Sequence, residues 1–452
     1  MTPHFYGVLL FYNLIMPLAF LVAIPGYLVK MFRRGNYGQD FCQRFGLYSA
    51  RARRQLQDAG NPIWIHAVSV GEVLIAHKLI RKFQQIAPEI PIVLSCTTST
   101  GYALAQERQD IGYLPIYNPL DMPLFVWSAF RTIRPRQIVL VESEIWPNLL
   151  WQAKQRRVPL SLVNARLSPR SERRFAKFGL LTRPLFQQMD QVLVQEPQDI
   201  DRWARLGVPR EKLNCTGSIK FDQEGQPKPA EQIEQFRQLL GQLRAPGTEN
   251  APVILIGSSF AGEEKLIGQA YRILRETFPG AFYIAVPRHW ERGGAVKKDL
   301  ESIGLAPVLK TELDTGTAPA TPDPERCLIV NTTGELYAWY HFADLVLIGK
   351  SFLAEGGQNP IEPLGVGKPI IMGAHMQNFE PLVSTLVKEQ GGRQLPETDA
   401  TSAPVIATAM TELLQAPDTS LALVSNGQRI LATHQGAAQR SCTALIGLRG
   451  EK

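Results

Sequence analysis

Glu72, in the stretch HAVSVGEV (66–73), follows a short apolar run and a glycine, where a strand hands over to a helix. A carboxylate there is placed to take a proton from an attacking hydroxyl. In a first helical turn it also complements the helix dipole, and the local sequence leaves both readings open. ESEIWPN (142–148) repeats the arrangement, with Glu142 and Glu144 just before a proline suited to a helix start. Lys220, in TGSIKFD (216–222), is a cation able to meet a developing anion or to sit solvated at the surface.

The second half offers a different chemistry. GSSFAGEE (257–264) is a strand running into a small-residue loop and a helix, an arrangement that turns backbone N–H groups toward an anion, with Ser258 and Ser259 as candidate nucleotide contacts. It is neither a Walker loop nor a G-x-G-x-x-G turn. VPRHWER (286–292) ends a strand with Arg288, whose fork suits phosphate or carboxylate, with His289 beside it. GGQNPIEP (356–363) brings paired glycines, Asn359, Pro360 and Glu362 together after a strand. The glycines and proline serve the fold by themselves; Glu362 adds an acceptor for ribose hydroxyls.

Metal chemistry is not expected. The one D-x-D, Asp199 to Asp201, falls on a helical segment where residues two apart point to different sides. H-E-x-x-H, a Cys/His cluster and a G-x-S-x-G elbow are all missing from the sequence. The five cysteines are scattered without a C-x-x-C pair, which excludes a disulfide framework and implies a reducing compartment.

Positioning these residues falls to two series of short apolar runs separated by helical stretches. Strands are predicted at 62–68, 91–97, 137–142, 160–165 and 191–195, with amphipathic helices such as 72–86 and 146–156 between them. The alternation breaks over 221–251 and resumes at 252–259, 282–287, 327–331, 345–350 and 369–373, with 311–325 read as an exposed loop. The fold class is α/β, two Rossmann-like domains facing a cleft, with ligands outside the carboxyl ends of the strands. The expected boundaries are an anchor at 1–34, a first Rossmann-like domain at 35–222, a linker at 223–250 and a second Rossmann-like domain at 251–452.

The anchor is read from an uncharged run, Gly7 to Val29, long enough to cross a bilayer. Only His4 precedes it, and Lys30, Arg33 and Arg34 follow, which is unlike a cleavable signal. The positive-inside rule then keeps the rest of the chain in the cytoplasm with the N-terminus outside. Asn13, Pro17 and Pro25 suit the other reading, a buried core helix. Arg44, Arg51, Arg53 and Arg54 are placed for anionic headgroups. Composition agrees with a globular protein: 452 residues, 45% hydrophobic and 20% charged, with a formal charge of +7. That excess favours phosphate-bearing partners or an anionic membrane surface.

Taken in order, HAVSVGEV, VESEIWPNLL, VNARLSPRS, RLGV, TGSIKFD, PRH, GEL (334–336) and GGQNPIEPLGVGKPIIMG resemble the Kdo transferases of lipopolysaccharide inner-core synthesis over nearly the whole chain. The resemblance implies a GT-B glycosyltransferase on the cytoplasmic face of a bacterial inner membrane, moving 3-deoxy-D-manno-octulosonic acid from CMP-Kdo to a lipid A precursor. It implies no metal or cofactor and no nucleic acid, with anionic inner-membrane lipids as further partners. By resemblance Glu72 is the general base, and Glu142 and Lys220 assist the transition state. Nucleotide contacts fall at Pro287, Arg288, Gly334, Glu335, Leu336, Asn359, Pro360, Ile361 and Glu362. Arg166, Arg170, Arg173, Arg174 and Lys177 are candidates for the acceptor phosphates, or a solvated helix face. The chain departs from the family at Ser259, Phe260, Lys350, Glu355 and Gln358. A UDP-sugar-dependent GT-B enzyme and a non-catalytic anchored nucleotide or lipid binder are the competing expectations.

Overall fold

The computed structural model describes every residue except 35–39, 223–229, 320–322 and 449–452. The chain divides into two compact units, Met1–Asp222 with His434–Lys452, and Gln223–Thr433.

The first unit is built on a seven-stranded parallel sheet. Its strands are β1 (Ile63–Ala67), β2 (Ile92–Cys96), β3 (Leu114–Tyr117), β4 (Gln137–Val141), β5 (Leu160–Ala165), β6 (Gln191–Val194) and β7 (Leu213–Cys215). They lie in the order β3-β2-β1-β4-β5-β6-β7. β1, β2, β4, β5 and β6 are buried along their whole length, as Val-, Ile- and Leu-rich strands covered on both faces of a parallel sheet are. The order reverses between β1 and β4, which pair in parallel register from Ile63 with Gln137 to His66 with Leu140. In open α/β sheets, this reversal opens a crevice at the strands' carboxyl ends.

The second unit repeats the plan with β8 (Val253–Ser259), β9 (Phe282–Pro287), β10 (Ala306–Leu309), β11 (Arg326–Ile329), β12 (Leu345–Ile348), β13 (Ile370–Met372) and β14 (Arg393–Gln394). The order is β10-β11-β9-β8-β12-β13-β14, all parallel, with the reversal between β8 and β12.

Three expected boundaries are corrected. The stretch 223–250 is not simply a linker: Ala230–Leu243 is a helix whose Phe236 stacks on Trp339 at 4.3 Å, within the second unit. Likewise the loop expected at 311–325 starts as a short helix, Lys310–Asp314, held by the Lys310–Asp314 ion pair. The largest correction concerns the end of the chain, expected to close the second domain. Its last helix, Ala437–Gly447, belongs to the first unit. Ala437, Ala438, Cys442 and Leu445 are buried in one core with Val73, Ala76 and Leu79 of the helix Val70–Ile86. The Asp222 carboxylate accepts from the Gly436 and Ala438 N–H groups, at 3.1 and 2.9 Å, stitching that return to the end of the first pass. Ending the chain at Thr433 is therefore expected to destabilise the first unit, by at least about 3 kcal/mol for the lost apolar burial, and to lower its thermal midpoint by roughly 10 °C. An unchanged melting profile would contradict this packing.

The N-terminal helix, Pro3–Arg34, is longer than the apolar run and contains a 20-residue stretch, Pro3–Val22, apolar enough to cross a membrane. Its first turns pack on the first unit. Phe5, Val8 and Leu9 are buried in the core that also holds Trp64, Ile138 and Leu149. Asn13 and Asn148 exchange amide hydrogen bonds of 3.0 and 2.8 Å.

Candidate active site

In the first unit the acidic residues singled out by the sequence meet at the β1/β4 reversal. β1 ends at Ala67, and Ser69 caps the helix Val70–Ile86 by accepting from the Glu72 N–H. The Glu72 carboxylate turns back over the cap: Val68 N–H donates to Oε2 at 2.7 Å and the Ser69 hydroxyl to Oε1 at 3.1 Å. Glu72 thus braces the first turn of its own helix, with its carboxylate beside the carboxyl end of β1. Burial pushes its pKa up to about 7, the Val68 N–H works against this, and Glu144 and Glu142 add to the rise.

Glu142 follows β4 with a left-handed backbone, φ 65°. Two strand-end bonds hold it there: its N–H donates to the Val163 carbonyl at 3.0 Å and its carbonyl accepts from Arg166 N–H at 3.3 Å. Burial raises its pKa, and the charges of Arg166 and Lys220 oppose the rise. Glu144 is raised as well, again by burial first, with Glu142 adding to it. Carboxylates that share a site resist ionising together. Lys220 is the counter-charge, and its pKa is lowered by burial and by Arg166 while Glu142 pulls it back up. The fold therefore brings Glu72, Glu142 and Lys220 into one electrostatic unit, with Glu144 and Arg166 as further members.

Other residues that hold this site were not singled out in the sequence. Asn164, wholly buried with φ 53°, accepts the Ile219 N–H at 2.9 Å and so fixes the turn carrying Lys220. From the opposite side, the Lys78 ammonium donates to the carbonyls of Lys220 and Asp222, at 3.0 and 2.7 Å. Neither carries a local sequence signal, because each acts on a backbone more than fifty residues away. His66 is also fully buried, with Nδ1 2.9 Å from the Ser95 hydroxyl, and burial lowers its pKa to about 4. It is neutral at physiological pH and structural.

The site makes a pH prediction. A base must be ionised to accept a proton, and the Glu72 pKa is raised to about 7. Turnover should therefore fall about tenfold per unit below that pH and level off above it. The carboxylates titrate as a set, so the profile reports apparent values of the group. A rate that stays flat between pH 5 and 8 would remove Glu72 as the titrating base.

In the second unit the expected nucleotide loop is used differently. Ser259 is wholly buried and donates to Glu264 Oε1 at 2.9 Å; Glu264 also pairs with Arg292 at 2.8 Å. The Phe260 N–H is taken by Glu263 Oε2 at 2.8 Å. Two of the donors expected to serve an anion in GSSFAGEE, the Ser259 hydroxyl and the Phe260 N–H, are thus taken by the protein's own carboxylates. Glu263 also accepts from the Lys350, Phe352 and Leu353 N–H groups, at 2.7, 3.0 and 3.3 Å. It thereby ties the end of β8 to the loop after β12. Ser258 and Lys350 flank this junction with φ 54° and 56°.

Beyond it, the 356–363 loop folds as its glycines require. A Cβ on Gly357, φ 72°, would run into the Met376 sulfur. Asn359 accepts from the Ile361 N–H at 3.0 Å and donates to Glu362 Oε1 at 3.0 Å, fixing a half-buried carboxylate. Pro360 and Ile361 beside it are buried. Pro287 is buried at the end of β9, whereas Arg288 beside it is exposed, its N–H donating to the Ser259 carbonyl at 3.0 Å. Gly334 (φ 80°), Glu335 and Leu336 start a short helix, with Glu335 bonded to the Thr332 hydroxyl at 2.6 Å and paired with Lys310 at 3.3 Å. Among the described residues, no cluster of three or more His, Cys, Asp or Glu side chains is arranged for a metal.

Two parallel-sheet α/β units, each with polar residues gathered at a strand-order reversal, define a GT-B-type fold. Solved structures agree: UDP-GlcNAc 2-epimerase from Neisseria meningitidis matches with a TM-score of 0.55 at 13% identity, covering 86% of this chain and 100% of that one. A glycosyltransferase from Rickettsia africae matches at 0.52 and 11%, covering 85% and 98%. Residues 39–223 match the family described as 3-deoxy-D-manno-octulosonic-acid transferase (kdotransferase). The 3-deoxy-D-manno-octulosonic acid transferase of Haemophilus influenzae is 31% identical over 90% of both chains. That of Bordetella pertussis is 32% identical over 89% of this chain and 90% of its own. The chain belongs to the Kdo transferase family of glycosyltransferases.

Proposed function

We propose that this protein transfers Kdo from CMP-Kdo to a lipid A precursor of the lipid IVA type at the bacterial inner membrane, by a single inverting displacement. The observation that carries the reading is the Glu72 carboxylate at the β1/β4 reversal, held by two hydrogen bonds and raised to a pKa of about 7. Glu72 takes the proton from a primary hydroxyl of the acceptor while that oxygen bonds to the anomeric carbon of Kdo. The bond from that carbon to the CMP phosphate oxygen breaks, and its electron pair leaves with CMP. Glu142 and Lys220 balance charge around the reacting carbon.

Arg288 meets the phosphate of CMP, and Glu362, held by Asn359, accepts from the ribose hydroxyls. The backbone at Gly334, Glu335 and Leu336 completes the nucleotide contacts. Charge on the leaving phosphate is met by side chains, so activity is expected to survive exhaustive EDTA treatment; loss on chelation and recovery with Mg²⁺ or Mn²⁺ would overturn that part. The whole reading is tested by mass spectrometry of the lipid formed from the purified full chain, CMP-Kdo and a lipid A precursor. Added Kdo with release of CMP supports it. Transfer from a UDP-sugar, or CMP-Kdo binding with no turnover, would replace it with one of the competing expectations.

A further inference from the structure

The N-terminal helix has two faces, and they differ in what covers them. Its inward stripe runs through Phe5, Val8, Leu9, Tyr12, Asn13, Met16 and Phe20, all buried or half-buried at three- and four-residue spacing. That stripe ends in specific polar bonds, Tyr12 to Asp121 and Asn13 to Asn148. The outward face carries Leu10, Leu14, Leu18, Leu21 and Val22, each more than 60% exposed, and no charged residue lies between His4 and Val22.

Chain length decides what this helix can do. From Asn13, tied to the first unit, the helix runs on to Arg34, about 30 Å at its ordinary rise. Asp40 is again tied to the first unit, accepting from the Tyr102 hydroxyl at 2.7 Å, and Arg44 donates to the Thr97 carbonyl at 2.7 Å. Residues 35–39 join the two and span at most about 20 Å. A helix leaving the unit at Asn13 to cross a hydrocarbon core of about 30 Å has too little chain to come back.

We propose that this helix does not cross the bilayer: it lies in the plane of one leaflet, its inward face part of the first unit's core and its outward face in lipid. The occupant of the outward face is a bilayer with anionic headgroups. An uncharged stripe this long suits acyl chains, and cations border it. The start of the helix shares a groove of about 370 Å³ with Phe175, Leu180 and Arg183. Phe178 and Leu180 extend the exposed apolar surface there, and the adjoining helix Pro169–Lys177 presents Arg170, Arg173, Arg174 and Lys177 on its exposed side. An amphipathic helix of this kind binds by apolar burial together with attraction to anionic lipid. Both ends of the helix then stay on the side of the catalytic units, opposite to the topology expected from the charge pattern.

The test uses the full chain and reads membrane binding, stability and topology, so it is independent of any Kdo transfer. Leu14→Glu with Leu18→Glu should lower binding to phosphatidylethanolamine/phosphatidylglycerol (3:1) vesicles at least tenfold and leave the thermal midpoint unchanged. Val8→Asp should do the reverse, lowering the midpoint by about 5 °C or more with vesicle binding kept; if that variant cannot be recovered folded, Val8→Ala should show a smaller fall. A self-complementing fluorescent-protein strand on the N-terminus should light up with its partner fragment in the cytoplasm. A dark cytoplasmic reporter with a periplasmic signal, a Val8 variant as stable as the parent, or unaltered binding of the Leu14/Leu18 variant would overturn the proposal.

Discussion

Glu72→Gln is expected to fold, to bind CMP-Kdo as the parent does, and to lose on the order of a hundredfold or more in turnover, the usual contribution of proton removal by a positioned base. The amide keeps the size of the side chain, and its carbonyl oxygen can still accept from Val68 or Ser69, so the cap over the helix Val70–Ile86 survives in part. What it cannot do is take the acceptor proton. The variant should also lose the rise in rate between pH 6 and 8, because the group raised to about 7 is gone. A kcat within a few-fold of the parent would leave Glu72 with a capping role alone and would pass the search for a base to Glu142 or Glu144.

Glu263→Ala is expected to be the most damaging single change in the second unit. The side chain is wholly buried, and its two oxygens accept from four backbone N–H groups, those of Phe260, Lys350, Phe352 and Leu353. Each donor left unsatisfied in the interior costs about 1–3 kcal/mol. Water entering the gap recovers some of that, and a net loss of about 4 kcal/mol is reasonable. Glu263→Gln should be nearly as harmful, since its NH₂ group would face two N–H donors where an oxygen stood. Denaturant unfolding measures the loss, and CMP-Kdo titration should show weakened binding, because the same bonds set the course of the chain into the 356–363 loop. A variant with parental stability would mean that this loop holds its shape by other contacts.

The sequence was most informative where a short local pattern suffices. Uninterrupted apolar runs separated by amphipathic helices demand strands buried on both faces, and β1, β2, β4, β5, β6, β8, β9 and β12 lie where those runs are. Strand-to-helix handovers placed Glu72 and Glu142 at carboxyl ends of the sheet, and the motif order pointed to the Kdo transferase family that the relatives then showed. Tertiary structure decided what depends on partners distant in the chain. GSSFAGEE reads as an anion cradle, and only the folded chain shows that Glu264 and Glu263 take two of its donors, the Ser259 hydroxyl and the Phe260 N–H. Asn164 and Lys78 shape the Lys220 turn through its backbone groups, which a residue pattern cannot report. The helix Ala437–Gly447 looks like any amphipathic helix of the second half until Cys442 and Leu445 enter the core of the first. For Pro3–Arg34, composition sets only its affinity for an apolar surface. Which face meets protein follows from side-chain packing against Trp64, Ile138 and Leu149.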